Sequence, residues 1–340
     1  MTTITRTLLT SALVLAVACG VANAQELNLY SSRHYQTDEA LYSGFTDATG
    51  ITINRIEGNG DALVERMKSE GANSPADVLL TVDAGMLWRA DQAGLFQPVQ
   101  SEVLEAAIPA NLRHPDGHWF GFSQRARVIV TNEDIVGDSP PETYEDLADP
   151  RWKGLVCIRS SSNIYNLSLM SALIAEHGED WAENWAKGVV ANFARDPQGG
   201  DTDQIRAVAA GECGIALANT YYYVRLMKSD APEDQAVVEK TAVVFPNADG
   251  RGTHVNISGA GVATNAPNRE AAVTFLEYLV SAQAQRYFAD GNNEYPVVAT
   301  VEPNAALQAL GPLHADPINV AVYGENQPTA QKVFDRAGWK

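Results

Sequence analysis

Leu27-Asn28-Leu29-Tyr30 and Ile51-Thr52-Ile53-Asn54-Arg55-Ile56 are the two apolar runs that begin the pattern on which the fold depends. The alternation in the second run is typical of a β-strand. Between the runs, Thr37 can cap a helix that stops at Gly50. A further strand over residues 77–82 continues the series. Strands and helices that alternate at this spacing predict an α/β fold built on mostly parallel sheets.

The length of the chain predicts two lobes. Its 340 residues exceed the size at which a single core usually stops growing. Residues 121–131 can form a long strand that crosses between lobes, and residues 243–246 can form the return crossing. Each lobe is expected to be a mostly parallel sheet flanked by helices, with a cleft between the two. The expected boundaries are residues 25–124 with 247–300 for the first lobe and residues 125–246 with 301–340 for the second.

Residues 1–24 have the pattern of a cleaved export signal. Arg6 precedes an apolar stretch, and Ala22-Asn23-Ala24 provides small residues for cleavage. We expect the mature chain to begin at Gln25. Cys19 leaves open a lipid-modified N-terminus as the alternative. No later stretch approaches the roughly 20 apolar residues that a membrane-spanning helix needs.

The charge of the chain argues against nucleic acid and anionic lipid surfaces as partners. The formal net charge is −18, and removal of residues 1–24, which include Arg6, makes it −19. A negative field repels phosphates and attracts cations. Solubility alone explains such acidity equally well.

Two cysteines remain after the signal, and both lie in apolar runs. Cys157 precedes Tyr165 by eight residues, and Cys213 precedes Tyr221 by the same distance. If the two runs are neighbouring parallel strands in register, the cysteines face each other and the tyrosines meet at one sheet edge. An oxidising compartment favours a disulfide between them. Two unpaired cysteines are the alternative, because the pairing geometry cannot be read from sequence.

Three consecutive tyrosines, Tyr221, Tyr222 and Tyr223, follow an apolar run and the pair Asn219-Thr220. They stand at the end of a predicted strand, where α/β sheets bind ligands. Packing would require one ring here rather than three, so we interpret the phenol oxygens as ligands of a hard, highly charged cation.

Several stretches together resemble the ferric-ion-binding proteins of bacterial ABC importers, which are two-lobed periplasmic binding proteins of type II. The resemblance covers essentially the whole mature chain and rests on residues 29–35, 74–78, 219–222 and 315–324. It implies a monomeric periplasmic protein, not an enzyme. Such a protein captures Fe(III) in the interlobe cleft and delivers it to an inner-membrane permease and its ATPase.

The resemblance also implies which side chains bind the metal. The family's ligands fall on Tyr35, Tyr165, Tyr221, Tyr222 and His34. His34 can instead be a pH-dependent fifth ligand or an outer group, because four phenolates are enough to complete the site. One branch of the family has a carboxylate ligand at the position that is Val82 in this chain. Because valine cannot bind the metal, the chain fits the other, tyrosine-rich branch. Tyr223 is left without a ligand role.

The charge of such a complex predicts nearby cations. Four tyrosinates around Fe(III) leave one negative charge, and the family's outer-shell arginines fall on Arg125 and Arg225. A solvated surface group is the alternative for either arginine. Whether Fe(II) is also bound is left open.

Other functional classes find less support in the sequence. A hydrolase needs a nucleophile beside a base, yet the six histidines are scattered and no Gly-x-Ser-x-Gly occurs. The alternative function is a binding protein of the same fold for another small cation, an organic cation or an anion. Such a site would use aromatic boxes or helix N-termini rather than clustered phenols.

Overall fold

The computed structural model describes residues 25–33 and 35–340. The predicted export signal and His34 lie outside the described residues. In chain order the strands are β1 (Glu26–Ser31), β2 (Thr52–Glu57), β3 (Val78–Val82), β4 (Phe120–Thr131), β5 (Val156–Cys157), β6 (Ile215–Asn219), β7 (Ala242–Val244), β8 (Val255–Val262) and β9 (Tyr295–Pro296).

Helices flank these strands on both sides of the crossing region. They are α1 (Asp38–Thr49), α2 (Gly60–Glu70), α3 (Ala84–Gln92), α4 (Glu102–Ala107), α5 (Glu133–Val136), α6 (Ile164–His177), α7 (Glu179–Ala191), α8 (Asp201–Ala210), α9 (Thr220–Met227), α10 (Pro232–Glu239), α11 (Arg269–Leu279), α12 (Ala282–Arg286), α13 (Ala305–Ala309) and α14 (Ala321–Ala337). Among the described residues, no helix is both long and apolar enough to cross a membrane.

The first strand–helix–strand unit forms as the sequence predicts, with one difference at its cap. β1 and β2 pair in parallel from Glu26 opposite Thr52 onward. Gly50 ends α1 in the left-handed conformation at φ 74°, which glycine adopts without a Cβ clash. Thr37 precedes α1, but its hydroxyl donates to the side chain of Asn292 and does not cap the helix.

One continuous strand path runs through the molecule in the order β2-β1-β3-β8-β4-β6-β5. Residues 120–126 of β4 pair with β8, and residues 127–131 pair with β6 and β7. β4 therefore crosses from the first lobe to the second. The chain returns between β7, which pairs in the second lobe, and β8, which pairs in the first. The domain boundaries given above stay a prediction.

The pairing within the sheets is mixed. β1 pairs in parallel with β2 and β3, and β5 pairs in parallel with β6, as expected. β4 and β8 instead pair antiparallel with each of their neighbours. The expectation of mostly parallel sheets thus holds for the outer strands only, because a strand shared between lobes and its return partner run in opposite directions.

Residues 269–286 form two helices rather than one. α11 ends at Leu279, and Ser281 starts α12 by accepting the N–H of Ala284 at 3.2 Å. A helix cap of this kind is a local serine signal that the apolar pattern alone does not reveal.

The disulfide forms, but not through strand register. The structure joins Cys157 to Cys213 with their Cα atoms 5.9 Å apart. β5 and β6 are parallel neighbours as predicted, yet Cys157 stands opposite Ala216, and Cys213 lies before β6 begins. The equal spacing of each cysteine from its tyrosine is therefore not what brings the tyrosines together.

The lobes also touch at the start of α3. Asp83 has φ 81°, a conformation that is uncommon for a residue other than glycine. Its buried carboxylate accepts from Ser168 of α6 at 2.9 Å and from Asn256 of β8 at 2.8 Å. One side chain thus joins the first lobe, the second lobe and a crossing strand.

Candidate metal centre

Tyr165 is positioned by the beginning of α6. The side chain of Asn163 accepts the backbone N–H of Tyr165 at 3.2 Å and that of Asn166 at 3.4 Å. Asparagine is a favoured helix cap because its oxygen satisfies free N–H groups of the first turn. The helix is therefore capped by Asn163, and the phenol of Tyr165 is left for another role.

Tyr221 and Tyr222 stand in the first turn of α9. β6 ends at Asn219 and α9 begins at Thr220, so the strand runs directly into the helix. The ring centroids of the two tyrosines are 4.2 Å apart. The hydroxyl of Tyr221 lies 3.2 Å from the hydroxyl of Tyr165, and only 2% of Tyr221 is exposed.

Tyr223 has a packing role. It is buried, and its hydroxyl donates to the carbonyl of Thr241 at 2.9 Å. Successive residues of a helix point about 100° apart, so the third tyrosine leaves the face on which Tyr222 lies. A hydroxyl paired with a backbone carbonyl satisfies a buried phenol without any ligand.

Tyr35 joins the group from the first lobe. It follows β1, and the guanidinium of Arg33 lies 4.9 Å from the centroid of its ring. Electrostatic interactions connect Tyr35 with Tyr165, Tyr221 and Tyr222. The structure thus brings together the four tyrosines selected from the sequence, although they come from three separate segments.

Burial keeps the phenols of Tyr35, Tyr165 and Tyr221 protonated in the absence of a metal. It is the main cause that raises the pKa of Tyr35, Tyr165 and Tyr221 above the ordinary value of a phenol. The neighbouring tyrosines raise the pKa of Tyr221 further, and Arg125 opposes this effect. A bound cation must therefore displace protons from the site.

The two predicted outer arginines occupy different environments. Arg125 is buried, and its guanidinium lies 5.9 Å from the ring centroid of Tyr165. It donates to Ser258 at 2.8 Å, whereas its Nε and one terminal nitrogen have no hydrogen-bond partner among the described residues. Arg225 is exposed and lies 5.7 Å from the ring centroid of Tyr222.

A buried network that the sequence reasoning missed holds the tyrosines of the second lobe. Asp201 accepts from Arg127 at 2.7 Å, from Arg159 at 3.0 Å and from the backbone N–H of Asn219 at 2.7 Å. Arg127 also donates to Asn166 at 3.0 Å. Asn166 and Asn219 lie beside the tyrosine positions in the chain, so one carboxylate ties together both helix starts.

A signal for this network exists in the sequence. Arg125 and Arg127 are two residues apart on β4, and alternate residues of a strand point to the same face. The guanidinium groups of Arg127 and Arg159 both lie near the phenol of Tyr165, at 5.8 Å and 5.5 Å from its ring centroid.

The first lobe contributes a second buried network. Arg33 donates to Asp38 at 3.0 Å and to Glu294 at 3.2 Å. Glu294 also lies 3.5 Å from Arg125 and accepts from Ser123 at 2.6 Å. Glu294 carries no local sequence signal, since its partners Arg33, Ser123 and Arg125 are 261, 171 and 169 positions away.

A cavity of about 710 Å³ opens between the lobes, and none of the four tyrosines is among the described residues that line it. It is lined by Thr81 and Val82 of the first lobe and by Asn163 and Ile164 of the second. Val82 thus faces the cleft with an apolar side chain, at the position where one branch of the resembling family has a carboxylate.

Comparison with known proteins identifies the family. The family model described as bacterial extracellular solute-binding protein matches residues 73–311. Iron uptake protein A2 of Synechocystis sp. is 56% identical over 321 residues, which cover 94% of this chain and 91% of the relative.

Solved structures agree with this identification. The Trichodesmium protein IdiA (FutA), in complex with iron and citrate ligands, has a TM-score of 0.90 at 60% identity and covers 93% of this chain and 100% of its own. The ferric binding protein from Campylobacter jejuni has a TM-score of 0.86 at 40% identity, with 92% and 100% covered. The resemblance and the two-lobed fold class predicted from the sequence are confirmed. The chain belongs to the family of bacterial extracellular solute-binding proteins.

Proposed function

We propose that this protein is the solute-binding component of an iron ABC importer. It captures Fe(III) in the cleft between its lobes and passes it to a membrane permease and its ATPase. The N-terminal signal directs it to the periplasm and is removed near Ala24. The relatives are named for iron uptake and ferric ion binding, and the role proposed for this chain is binding rather than catalysis.

The observation that carries the proposal is the convergence of four phenols in one place, where Tyr221 is buried and Tyr35, Tyr165 and Tyr222 are partly buried. Tyr165 and Tyr221 have their hydroxyls 3.2 Å apart, and the ring of Tyr222 packs against that of Tyr221 at an angle of 32°. Phenols packed for stability alone would each pair with a backbone or side-chain acceptor, as Tyr223 does with Thr241. Hydroxyls that face one another instead offer a set of oxygen donors to a single ion.

The charges around the phenols suit a trivalent ion. The guanidinium groups of Arg33, Arg125, Arg127 and Arg159 lie within 6 Å of the ring centroids of Tyr35 or Tyr165. They are paired with three carboxylates: Asp38, Asp201 and Glu294. Arg225 lies 5.7 Å from the ring centroid of Tyr222, but it is exposed, so water and salt screen its charge. The four arginines exceed the three carboxylates by one positive charge, which offsets the single negative charge of Fe(III) bound by four tyrosinates. This balance supports Tyr35, Tyr165, Tyr221 and Tyr222 as the ligands.

The same balance favours the ferric state. Phenolate is a hard oxygen donor, and hard cations of high charge bind such donors best. Fe(II) has one charge less, so its complex with four phenolates would leave the buried region with an uncompensated negative charge. An organic cation would instead contact the faces of aromatic rings, whereas here oxygens converge.

Iron loading of matched variants tests the proposal. The iron-loaded wild type should be coloured, because charge transfer from tyrosinate to Fe(III) absorbs visible light. Tyr222→Phe should weaken both the colour and the binding. Tyr223→Phe, which changes the next residue of the same helix, should leave both unchanged. A colourless ferric complex, or equal effects of the two substitutions, would exclude the site.

A further inference from the structure

A group of metal-binding side chains lies on the first lobe, on elements that carry none of the four tyrosines. Asp91 stands near the end of α3, and His114 and His118 lie in the segment before β4. Among the described residues, one potential ligand atom from each of these three side chains lies within 4.8 Å of the others. Asp91 is eight residues from Asp83, so about 12 Å of helix separates the group from the interlobe contact.

The carboxylate of Asp91 lies between the two imidazoles. Its Oδ1 is 2.5 Å from Nδ1 of His118, and its Oδ2 is 3.6 Å from Nε2 of His114. The side chains are 9%, 28% and 16% exposed for Asp91, His118 and His114. The group is therefore partly shielded from water but open to an ion from solvent.

The backbone holds the two histidines on the same side of the chain. The carbonyl of His114 accepts the N–H of Gly117 at 3.0 Å, and the N–H of His114 donates to the carbonyl of Trp119 at 2.9 Å. Gly117 has φ 74°, and a Cβ at this position would meet the carbonyl oxygen of Val99 at 2.5 Å, so the turn requires glycine. The imidazole rings are stacked with their centroids 4.7 Å apart.

The charges near the group favour a cation. The charged or titratable groups that act on His114 are Asp91, Asp116 and His118. Among the described residues, the ion-pair contacts of Asp91 are those with His114 and His118, so no lysine or arginine pairs with this carboxylate.

We propose that Asp91, His114 and His118 form a second metal site, which binds a divalent first-row ion of the Zn²⁺ type. Two imidazole nitrogens and one carboxylate oxygen are a common ligand set for such ions, and water completes four-coordination. The ligands differ in kind from the phenols of the cleft. The second site thus selects a different class of ion, and it does not depend on the proposed function.

Metal binding requires small rearrangements. Metal–ligand bonds of about 2.0–2.1 Å place tetrahedral ligand atoms roughly 3.3 Å apart. The carboxylate of Asp91 must therefore move away from His118, which is 2.5 Å from it, and the ring of His114 must tilt out of the stack toward the ion. Nδ1 of His114 accepts the N–H of Asp116 at 3.1 Å. Coordination through Nε2 places the imidazole proton on Nδ1 and exchanges that hydrogen bond. The bound ion would then link α3 to the segment before β4.

Zn²⁺ titration by calorimetry tests the site, with the cleft first loaded with Fe(III). His118→Ala and Asp91→Asn should each weaken Zn²⁺ binding at least about tenfold, since even outer partners of a metal site contribute that much. His177→Ala is the matched control. His177 is also 28% exposed and also faces a carboxylate, Glu145, at 2.8 Å. The His177→Ala variant should bind Zn²⁺ with the same affinity as the wild type.

Two further measurements keep the test decisive. Co²⁺ should give the intense visible bands of tetrahedral coordination in the wild type and lose them in His118→Gln, which retains a polar side chain if the alanine variant is unstable. Tyr221→Phe should lose iron but keep Zn²⁺, which separates the two sites. Absence of Zn²⁺ binding to the wild type, or equal binding by the His118, Asp91 and His177 variants, would overturn the proposal.

Discussion

The two lobes hold their tyrosines differently. In the second lobe, Tyr165 and Tyr221 stand in the first turns of two helices, and Asp201 links the starts of these helices. In the first lobe, Tyr35 stands in the segment between β1 and α1. The second-lobe tyrosines are fixed by helix starts and by a buried carboxylate that accepts from two arginines. Tyr35 is placed by its neighbour Arg33, whose ion pairs reach Asp38 and Glu294.

This difference suggests an order of assembly. Three oxygen donors that are already arranged in the second lobe can receive an ion first, and Tyr35 can then complete the site from the other side. A binding protein whose lobes move about crossing strands closes on its ligand in this way. The predictions below test whether the two halves differ as the structure indicates.

The largest effect should be that of pH on iron affinity. The pKa of Tyr35, Tyr165 and Tyr221 is raised by burial, so these phenols are protonated at neutral pH and must release protons when iron binds. Affinity should therefore fall as pH falls, by at least about a hundredfold per pH unit if two or more protons leave. Competition with a chelator of known proton affinity, measured at several pH values, gives the slope. A slope below one proton would contradict the phenolate site.

The next effect separates the two halves directly. Tyr221→Phe should weaken iron binding by more than about a hundredfold, beyond what outer-shell changes cost, because water cannot easily replace an oxygen that is buried between the other phenols. Tyr35→Phe should cost less, since Tyr35 is only partly buried and lies in a loop. Iron titrations of both variants and of Tyr223→Phe as control measure the difference. If Tyr35→Phe and Tyr221→Phe lose equal iron affinity, the second-lobe tyrosines are not arranged for iron any better than Tyr35 is.

A smaller effect on binding, but a clear one on stability, should follow from Asp201→Asn. The substitution leaves Arg127 and Arg159 without their carboxylate, and breaking a buried ion pair costs about 3 kcal/mol of unfolding free energy. Iron affinity should fall about tenfold, as for an outer partner of a metal site.

The control for this prediction lies in the same helix. Asp203→Asn changes a carboxylate that accepts the N–H of Gly200 at 2.7 Å, which an amide oxygen can also do. Its unfolding free energy should change by less than about 0.5 kcal/mol. Denaturant titrations measure the unfolding free energy of the two variants, and iron titrations measure their affinity. If Asp201→Asn is as stable as the wild type and binds iron with the same affinity, the Asp201 network does not hold the tyrosines in place.

The smallest effect concerns His254, on the return crossing between the halves. Burial, with Arg251, Arg127 and Arg125 nearby, lowers the pKa of His254 well below its ordinary value. The unfolded chain takes up this proton below about pH 6.5, whereas the native protein does not. Stability is therefore complete above that pH and falls by about 1.4 kcal/mol per unit below it.

Comparison with a variant isolates this contribution. His254→Gln removes the titrating group, so its stability should fall less than that of the wild type between pH 7.0 and pH 5.5. Chemical denaturation at the two pH values measures both proteins. Parallel losses would show that other groups cause the acid sensitivity.

The parts of the fold that could be predicted from sequence depend on neighbouring residues. The apolar runs at β1, β2 and β3, the left-handed Gly50 and the long strand β4 are local patterns, and the structure contains each of them. The division of α11 from α12 depends on the cap at Ser281, which competes with a longer apolar pattern. The direction of β4 and β8 relative to their neighbours depends on how the lobes connect, which no local pattern records.

The sequence by itself predicted the α/β lobes with two crossings and the choice of Tyr35, Tyr165, Tyr221 and Tyr222, and it favoured a disulfide between Cys157 and Cys213. These features follow from periodicity, from unusual residues in a row and from a family resemblance. Only the tertiary structure showed that Cys157 stands opposite Ala216, that Tyr223 bonds to Thr241, and that Asp201 and Glu294 neutralise the arginines around the phenols. The physical reason is that register, hydrogen-bond partners and charge balance depend on distances between segments far apart in the chain, and those distances exist only after folding.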